Sequence, residues 1–191
     1  IAMSPDGRYV VFDSAAWNLV PGDTNRTFDS FLWDAQTETV ERVSVGMNGV
    51  QANGPSEPVG LSADGRYVLV SSWATNHVPN DTNALADLFV YDRATGENRR
   101  ANVTSGLAPA NRLTLHGAIS TDGALVVFTT AATNLSTLDR NDTPDAYVHE
   151  MGGTADVFAF TVKPAAQPFG QQSERTPTPK NNRKRNKSHT H

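Results

Sequence analysis

A seven-residue pattern, D-x-N-x-x-x-D, occurs three times in the chain: Asp23, Asn25 and Asp29; Asp81, Asn83 and Asp87; Asp139, Asn141 and Asp145. Carboxylates and a carboxamide at positions 1, 3 and 7 of a tight loop offer oxygens to a hard cation. Calcium takes about 6–8 such ligands, so backbone carbonyls and water would have to complete the shell. Asp142 adds a further oxygen donor in the third loop. The pattern is not an EF-hand, because the glycine and the distal glutamate of that loop are missing. The same residue types also close turns by bonding their own backbone. On that reading Asp23 caps the loop, Asn25 takes a left-handed conformation and Asp29 anchors the next strand. Two acids per loop with few nearby bases tilt toward a cation, while plain turn structure is the stronger of the two readings. Recurrence does not choose between the two readings, because scaffolding repeats as well.

Other chemistry finds little support. Cysteine is absent, which excludes a disulfide scaffold, a thiol nucleophile and cysteine metal sites. The stretch Gly60-Leu61-Ser62-Ala63-Asp64 lacks the closing glycine of a nucleophile elbow. His77, His116 and His149 share no repeat position and no zinc spacing. They are expected at the surface or at blade edges. Trp17 and Trp73, two repeat positions apart, are expected to fill space between packed sheets rather than to line a binding face. The chain is therefore expected not to be an enzyme.

The loops belong to a larger repeat. Ser4-Pro5-Asp6-Gly7-Arg8-Tyr9 recurs as Ser62-Ala63-Asp64-Gly65-Arg66-Tyr67 and as Ser120-Thr121-Asp122-Gly123-Ala124-Leu125, an offset of 58 residues each time. Asn18, Asn76 and Asn134 keep the same spacing, as do Phe31, Phe89 and Tyr147. These asparagines are expected to bond inside the blade or to add a carbonyl to the loop. Each Asp-Gly pair is a hairpin turn. A short strand precedes it, ending at Ser4, Ser62 or Ser120. An apolar, β-branched run follows at 9–12 and its equivalents, expected to be buried on both faces. A third strand at 30–34, 88–92 and 146–150 and a fourth at 39–45, 98–104 and 155–162 complete the unit. Helical periodicity is absent.

Four antiparallel strands per fixed period predict an all-β chain of β-propeller blades with a 58-residue repeat. A sandwich of about twelve strands needs no period. The blades are read at about 1–58, 59–116 and 117–162. Since propellers close with about 4–8 blades, three make an incomplete one.

The Ser-x-Asp-Gly-Arg-Tyr unit, followed by strands reading Phe31-Leu32-Trp33-Asp34 and Leu88-Phe89-Val90-Tyr91-Asp92, resembles the TolB-like β-propeller repeat family over residues 1–162. The stretch Asn18-Leu19-Val20-Pro21-Gly22-Asp23-Thr24-Asn25 is similar to a variant common in long bacterial surface or secreted proteins. The resemblance implies a propeller of six blades or more, a periplasmic or extracellular setting and a role in protein contacts. It implies no shared activity, because function lives in sites grafted on folds. The third copy departs from the pattern at Ala124, Leu125 and Arg140.

Composition sets the remaining bounds. The 191 residues carry a net charge of −4, but unevenly. Residues 1–162 hold nine arginines, no lysine and nineteen acids, and residues 163–191 hold seven bases and one acid. The acidic body argues against nucleic acid. The tail, with Arg183-Lys184-Arg185, lacks apolar residues and is expected to be disordered. No apolar run approaches the roughly 20 residues of a membrane helix. The chain opens in mid-pattern without a signal peptide and reads as a fragment. The expected function is a non-catalytic scaffold for protein–protein or surface interaction in an exported bacterial protein, with calcium in the loops as a stabiliser. The alternative is the propeller portion of a hydrolase or peptidase whose catalytic domain lies elsewhere.

Overall fold

The computed structural model describes residues 1–137, 139, 143–152 and the backbone of 157–160. Asn141 and the basic segment 163–191 lie outside the described residues. Three four-stranded antiparallel sheets follow one another along the chain. The first holds β1 (Ala2–Met3), β2 (Tyr9–Ser14), β3 (Asp29–Asp34) and β4 (Thr39–Arg42). The second holds β5 (Ser56–Leu61), β6 (Tyr67–Ser72), β7 (Asp87–Asp92) and β8 (Glu97–Arg100). The third holds β9 (His116–Ile119), β10 (Leu125–Thr130), β11 (Asp145–Glu150) and β12 (Val157–Phe160).

The Ser-x-Asp-Gly signature builds the β1–β2 turn in every copy. The Ser4 hydroxyl donates to the Asp6 carboxylate (2.6 Å) and accepts from the Tyr9 amide (2.9 Å). Asp6 also accepts from the Arg8 amide at 3.0 Å. Ser62 and Asp64, then Ser120 and Asp122, repeat this set. The glycine that follows has positive φ, 75° at Gly7, 68° at Gly65 and 75° at Gly123. Two copies then clamp the β3–β4 turn: Arg8 binds both oxygens of Asp34 and Arg66 both oxygens of Asp92. The third copy, with Ala124 and Glu150, has no such clamp.

The sheets stack face to face. Val68 and Val70 of β6 pack on Tyr9, Val11 and Leu32 of the first sheet and on Val43 at the start of the crossing. From the second sheet, Leu69, Leu88 and Val90 pack on Val126, Phe128 and Tyr147 of the third. Among the described residues only the middle sheet is covered on both faces, so the expectation for the second strand of each copy holds for β6 alone. In β10 burial alternates, leaving Leu125 and Val127 exposed on the face that points away from the second sheet.

The fourth strands of the first two sheets are shorter than the sequence predicts. β4 ends at Arg42 because the amides of Val43 and Ser44 both turn onto the Ser30 carbonyl. β8 ends at Arg100 in the same way, with the Ala101 amide on the Leu88 carbonyl. The chain then crosses to the next sheet over residues 43–55 and 101–115. These crossings and the β2–β3 loops share one end of the blades, and the Asp-Gly turns occupy the other.

Candidate functional site

The D-x-N-x-x-x-D loops join β2 to β3, β6 to β7 and β10 to β11. In the first loop the Asn25 side-chain oxygen accepts from the Thr27 amide (3.1 Å), and its amide donates to Asp29 (3.1 Å) and to the Ala52 carbonyl (3.1 Å). The second loop repeats the turn, with Asn83 accepting from Leu85 (3.0 Å) and donating to Asp87 (3.0 Å). The left-handed residue is the next one, Arg26 (φ 58°) and Ala84 (φ 54°), not the asparagine. An asparagine whose side chain is spent on an Asx turn is held to its own backbone, and the reversal passes to its neighbour.

The last Asp of the pattern opens the next strand and is fully buried in both loops, as Asp29 in β3 and Asp87 in β7. One Asp29 oxygen accepts from the Ser44 hydroxyl (2.6 Å). The other accepts from Asn25 and from the Gln51 amide (2.8 Å). Gln51 also donates to Asp23 (2.9 Å) and accepts from the Thr24 amide and hydroxyl (3.1 Å each). Gln51 thereby ties the loop to the crossing 43–55.

The second loop uses a charge instead. The Arg100 guanidinium stands 2.8 Å from Asp81 and 3.2 Å from Asp87, with its side chain 8% exposed. Asn102 donates to the other Asp87 oxygen at 2.6 Å. Burial pushes the Asp87 carboxyl above its ordinary range, against the pull of Asn102, Arg100 and Asn83. The sequence expectation of few bases near these acids is thus corrected: a buried arginine from β8 sits between them. In the third loop Asp139 and Asp145 lie near Tyr147, whose hydroxyl is pushed up to about 12 by burial and by those two charges.

A calcium ion needs oxygens turned toward one centre and free of protein donors. The first two loops instead direct their carboxylates at Ser44, Asn25, Gln51, Asn102 and Arg100. Among the described residues, no three Asp, Glu or His side chains converge as a metal site requires. Loops one and two fit an internal polar lock better than a cation shell.

The repeated asparagines act between blades. Asn76 accepts from the Asn53 amide (3.1 Å) and donates to the Gln51 carbonyl (2.8 Å). Asn53 in turn accepts from the Thr75 amide (2.8 Å) and donates to the Thr75 hydroxyl (2.9 Å). Asn134, Asn111, Thr133 and Pro109 reproduce the same four bonds at the second junction. The β6–β7 and β10–β11 loops are therefore latched to the crossings that precede them. The expectation of bonding within a blade is corrected. The partners Asn53 and Asn111 were missed, although they too stand 58 residues apart.

Two histidines also depart from expectation. His77 is 2% exposed and His149 4% exposed. Each presents Nδ1 to a backbone carbonyl of the preceding repeat, Val45 at 3.0 Å and Ala101 at 2.6 Å. His77 packs on Phe89 with ring centroids 4.6 Å apart, and burial lowers it to about 4. The tryptophans depart in the opposite sense. Trp17 is 74% and Trp73 48% exposed, so they do not fill space between sheets. Phe28, 51% exposed, sits near Trp73: the Phe28 and Pro55 carbonyls accept from Ser56 and Trp73 respectively. Trp17 lines an open cleft with Asp23, Thr24 and Arg26.

Three four-stranded antiparallel sheets, stacked in chain order and latched at each junction, define an all-β architecture of propeller blades that does not close. Among solved structures the chain is similar to TolB from Acinetobacter baumannii, with 18% identity and a TM-score of 0.48, covering 84% of this chain and 31% of that one. It is similar to a TolB from Agrobacterium tumefaciens at 17% and 0.48, covering 83% and 47%. It is also similar to the β-propeller domain of the trilobed protease from Pyrococcus furiosus at 14% and 0.48, covering 83% and 41%. The chain spans less than half the length of each. No protein-family model matches the sequence, and no curated protein does. Among the described residues no helix is long and apolar enough to cross a membrane.

Proposed function

We propose that the chain is a non-catalytic propeller segment of an exported bacterial protein, and that the loop end of its blades makes protein contacts. The observation that carries this reading is the exposure of Trp17, Phe28 and Trp73 on loops whose backbones are held fixed. Large aromatics left in water are costly unless a partner covers them, and tryptophan is enriched at the centres of interfaces. The Asn latch and the Gln51 lock set the loop geometry in advance, which lowers the ordering cost of association. Export is supported by the resemblance of the repeat to TolB-like propellers.

The test compares the native chain with the double variant Trp17→Ala, Trp73→Ala in cross-linking to proteins of a cell-envelope extract. Both side chains are exposed, so the melting temperature should be unchanged. Specific adducts lost by at least tenfold in the variant support the reading. Equal adducts from both proteins overturn it.

A further inference from the structure

The two junctions between blades differ at the Asp-Gly end, and the difference leaves a cavity. At the first junction Arg93 reaches back over the preceding blade. Its guanidinium lies 5.2 Å from the centroid of the Tyr9 ring, donates to the Gly65 carbonyl at 2.7 Å and pairs with Glu41. Arg8 lies over the same ring at 4.6 Å, so Tyr9 has two guanidiniums within cation–π range.

At the second junction the equivalent ring, Tyr67, has one, Arg66 at 4.8 Å. The repeat places Met151 where the first junction has Arg93, and Arg99 where it has Glu41. The backbone does not change: Arg93 donates its amide to the Arg66 carbonyl at 3.0 Å, and Met151 to the Ala124 carbonyl at 2.8 Å. Exchanging the Arg93 guanidinium for the apolar Met151 side chain in an unchanged frame leaves a cavity of about 310 Å³ beside Tyr67, Gly123 and Met151. Asp92, Glu97 and Asp122 also line it, three carboxylates against the two guanidiniums of Arg66 and Arg99. Arg66 is already committed to Asp92 and Arg99 to the Met151 carbonyl.

We propose that this cavity receives an arginine side chain of a protein partner, which takes the place that Arg93 fills at the first junction. The incoming guanidinium lies over Tyr67, donates to the Gly123 carbonyl and is balanced by Glu97 and Asp122. A planar group with five donors fits this setting, and a compact ammonium does not reproduce it. The inference rests on the reading of the chain as a protein-contact scaffold but concerns the opposite end of the blades.

The experiment is a titration of the full chain with N-acetylarginine amide, followed by amide and Tyr67 ring chemical shifts. N-acetylcitrulline amide, of the same shape without charge, is the control. Saturable shifts at Gly123, Met151 and Tyr67 with a millimolar dissociation constant are expected for the arginine compound, and none for citrulline. Met151→Arg refills the cavity from within, so it should weaken binding at least tenfold and raise the melting temperature. Glu97→Gln, at an exposed side chain, should leave the melting temperature unchanged and weaken binding several-fold. No saturable shift, equal shifts with citrulline, or undiminished binding by both variants would overturn the proposal. Because the probe is a small molecule read at named atoms, such a failure leaves the envelope cross-linking result at Trp17 and Trp73 standing.

Discussion

The ring of Tyr9 lies directly against Gly65 of the next blade, so closely that a Cβ at Gly65 would overlap three ring carbons. Tyr67 and Gly123 repeat the contact at the second junction. Gly7, at the same turn position in the first blade, meets nothing nearer than the Met3 sulfur at 4.0 Å. The glycine of the Asp-Gly pair thus has two duties: it takes positive φ in the turn, and it seats the tyrosine of the preceding blade.

This separates two otherwise similar substitutions. Gly7→Ala should cost only the left-handed backbone strain, roughly 1–2 kcal/mol. Gly65→Ala adds the displacement of Tyr9, and overpacking of this kind costs about 1–3 kcal/mol more. Urea unfolding with equal slopes and a lower midpoint for Gly65→Ala would show it, and coincident midpoints would contradict it.

Asn76→Ala removes a bond to the Asn53 amide and another to the Gln51 carbonyl. A loss of about 1–3 kcal/mol is expected, with faster amide exchange across residues 43–55. Asn18→Ala, at the same repeat position but exposed in the first blade, should fall within about 0.5 kcal/mol of the native chain.

Arg100→Met leaves Asp81 and Asp87 buried without their cation. Breaking a buried pair in this way costs about 3–5 kcal/mol. Adding Asp87→Asn should recover part of it. In the native chain the first two loops supply their own donors, so melts in calcium and in EDTA should superimpose. A bound ion at about 100 times its dissociation constant would add roughly 2.7 kcal/mol and separate the curves.

His77 gives an acid limb to stability. Burial holds it at about 4 in the folded chain against an ordinary 6.5, so the unfolded chain binds the extra proton between those values. Stability is therefore full above pH 6.5 and falls as pH drops toward 4, by about 3 kcal/mol over the window. Asp34 acts lower: the Arg8 guanidinium holds it at about 2, so its contribution is lost as pH falls from 3.8 to 2. His77→Phe should flatten the upper window and leave the lower one. An unchanged profile between pH 6.5 and 4 would show that His77 does not set it.

The hairpin turns, the strand order and the all-β class were legible because they rest on contacts between residues a few positions apart. Ser4, Asp6, Gly7 and Tyr9 complete one another's hydrogen bonds within a single turn, and a pattern that local repeats wherever the chain repeats. The blade junctions were not legible in that way. Asn76 finds Asn53, Arg93 finds Tyr9 and Arg100 finds Asp81 only once the sheets have stacked or β8 has paired beside β7. Those neighbours are fixed by tertiary geometry, not by spacing.

The same holds for exposure. Nothing in the residue types distinguishes the buried His77 from the exposed Trp17, because burial depends on which face a neighbouring sheet covers. The sequence alone determined a repeating four-stranded unit and its turns. Tertiary structure decided that the loop acids answer to protein donors, that the aromatics face water, and that the second junction holds a cavity where the first holds Arg93. The physical reason is that hydrogen bonds within a turn are specified by the chain itself, whereas packing and charge pairing between blades depend on surfaces that exist only after the blades meet.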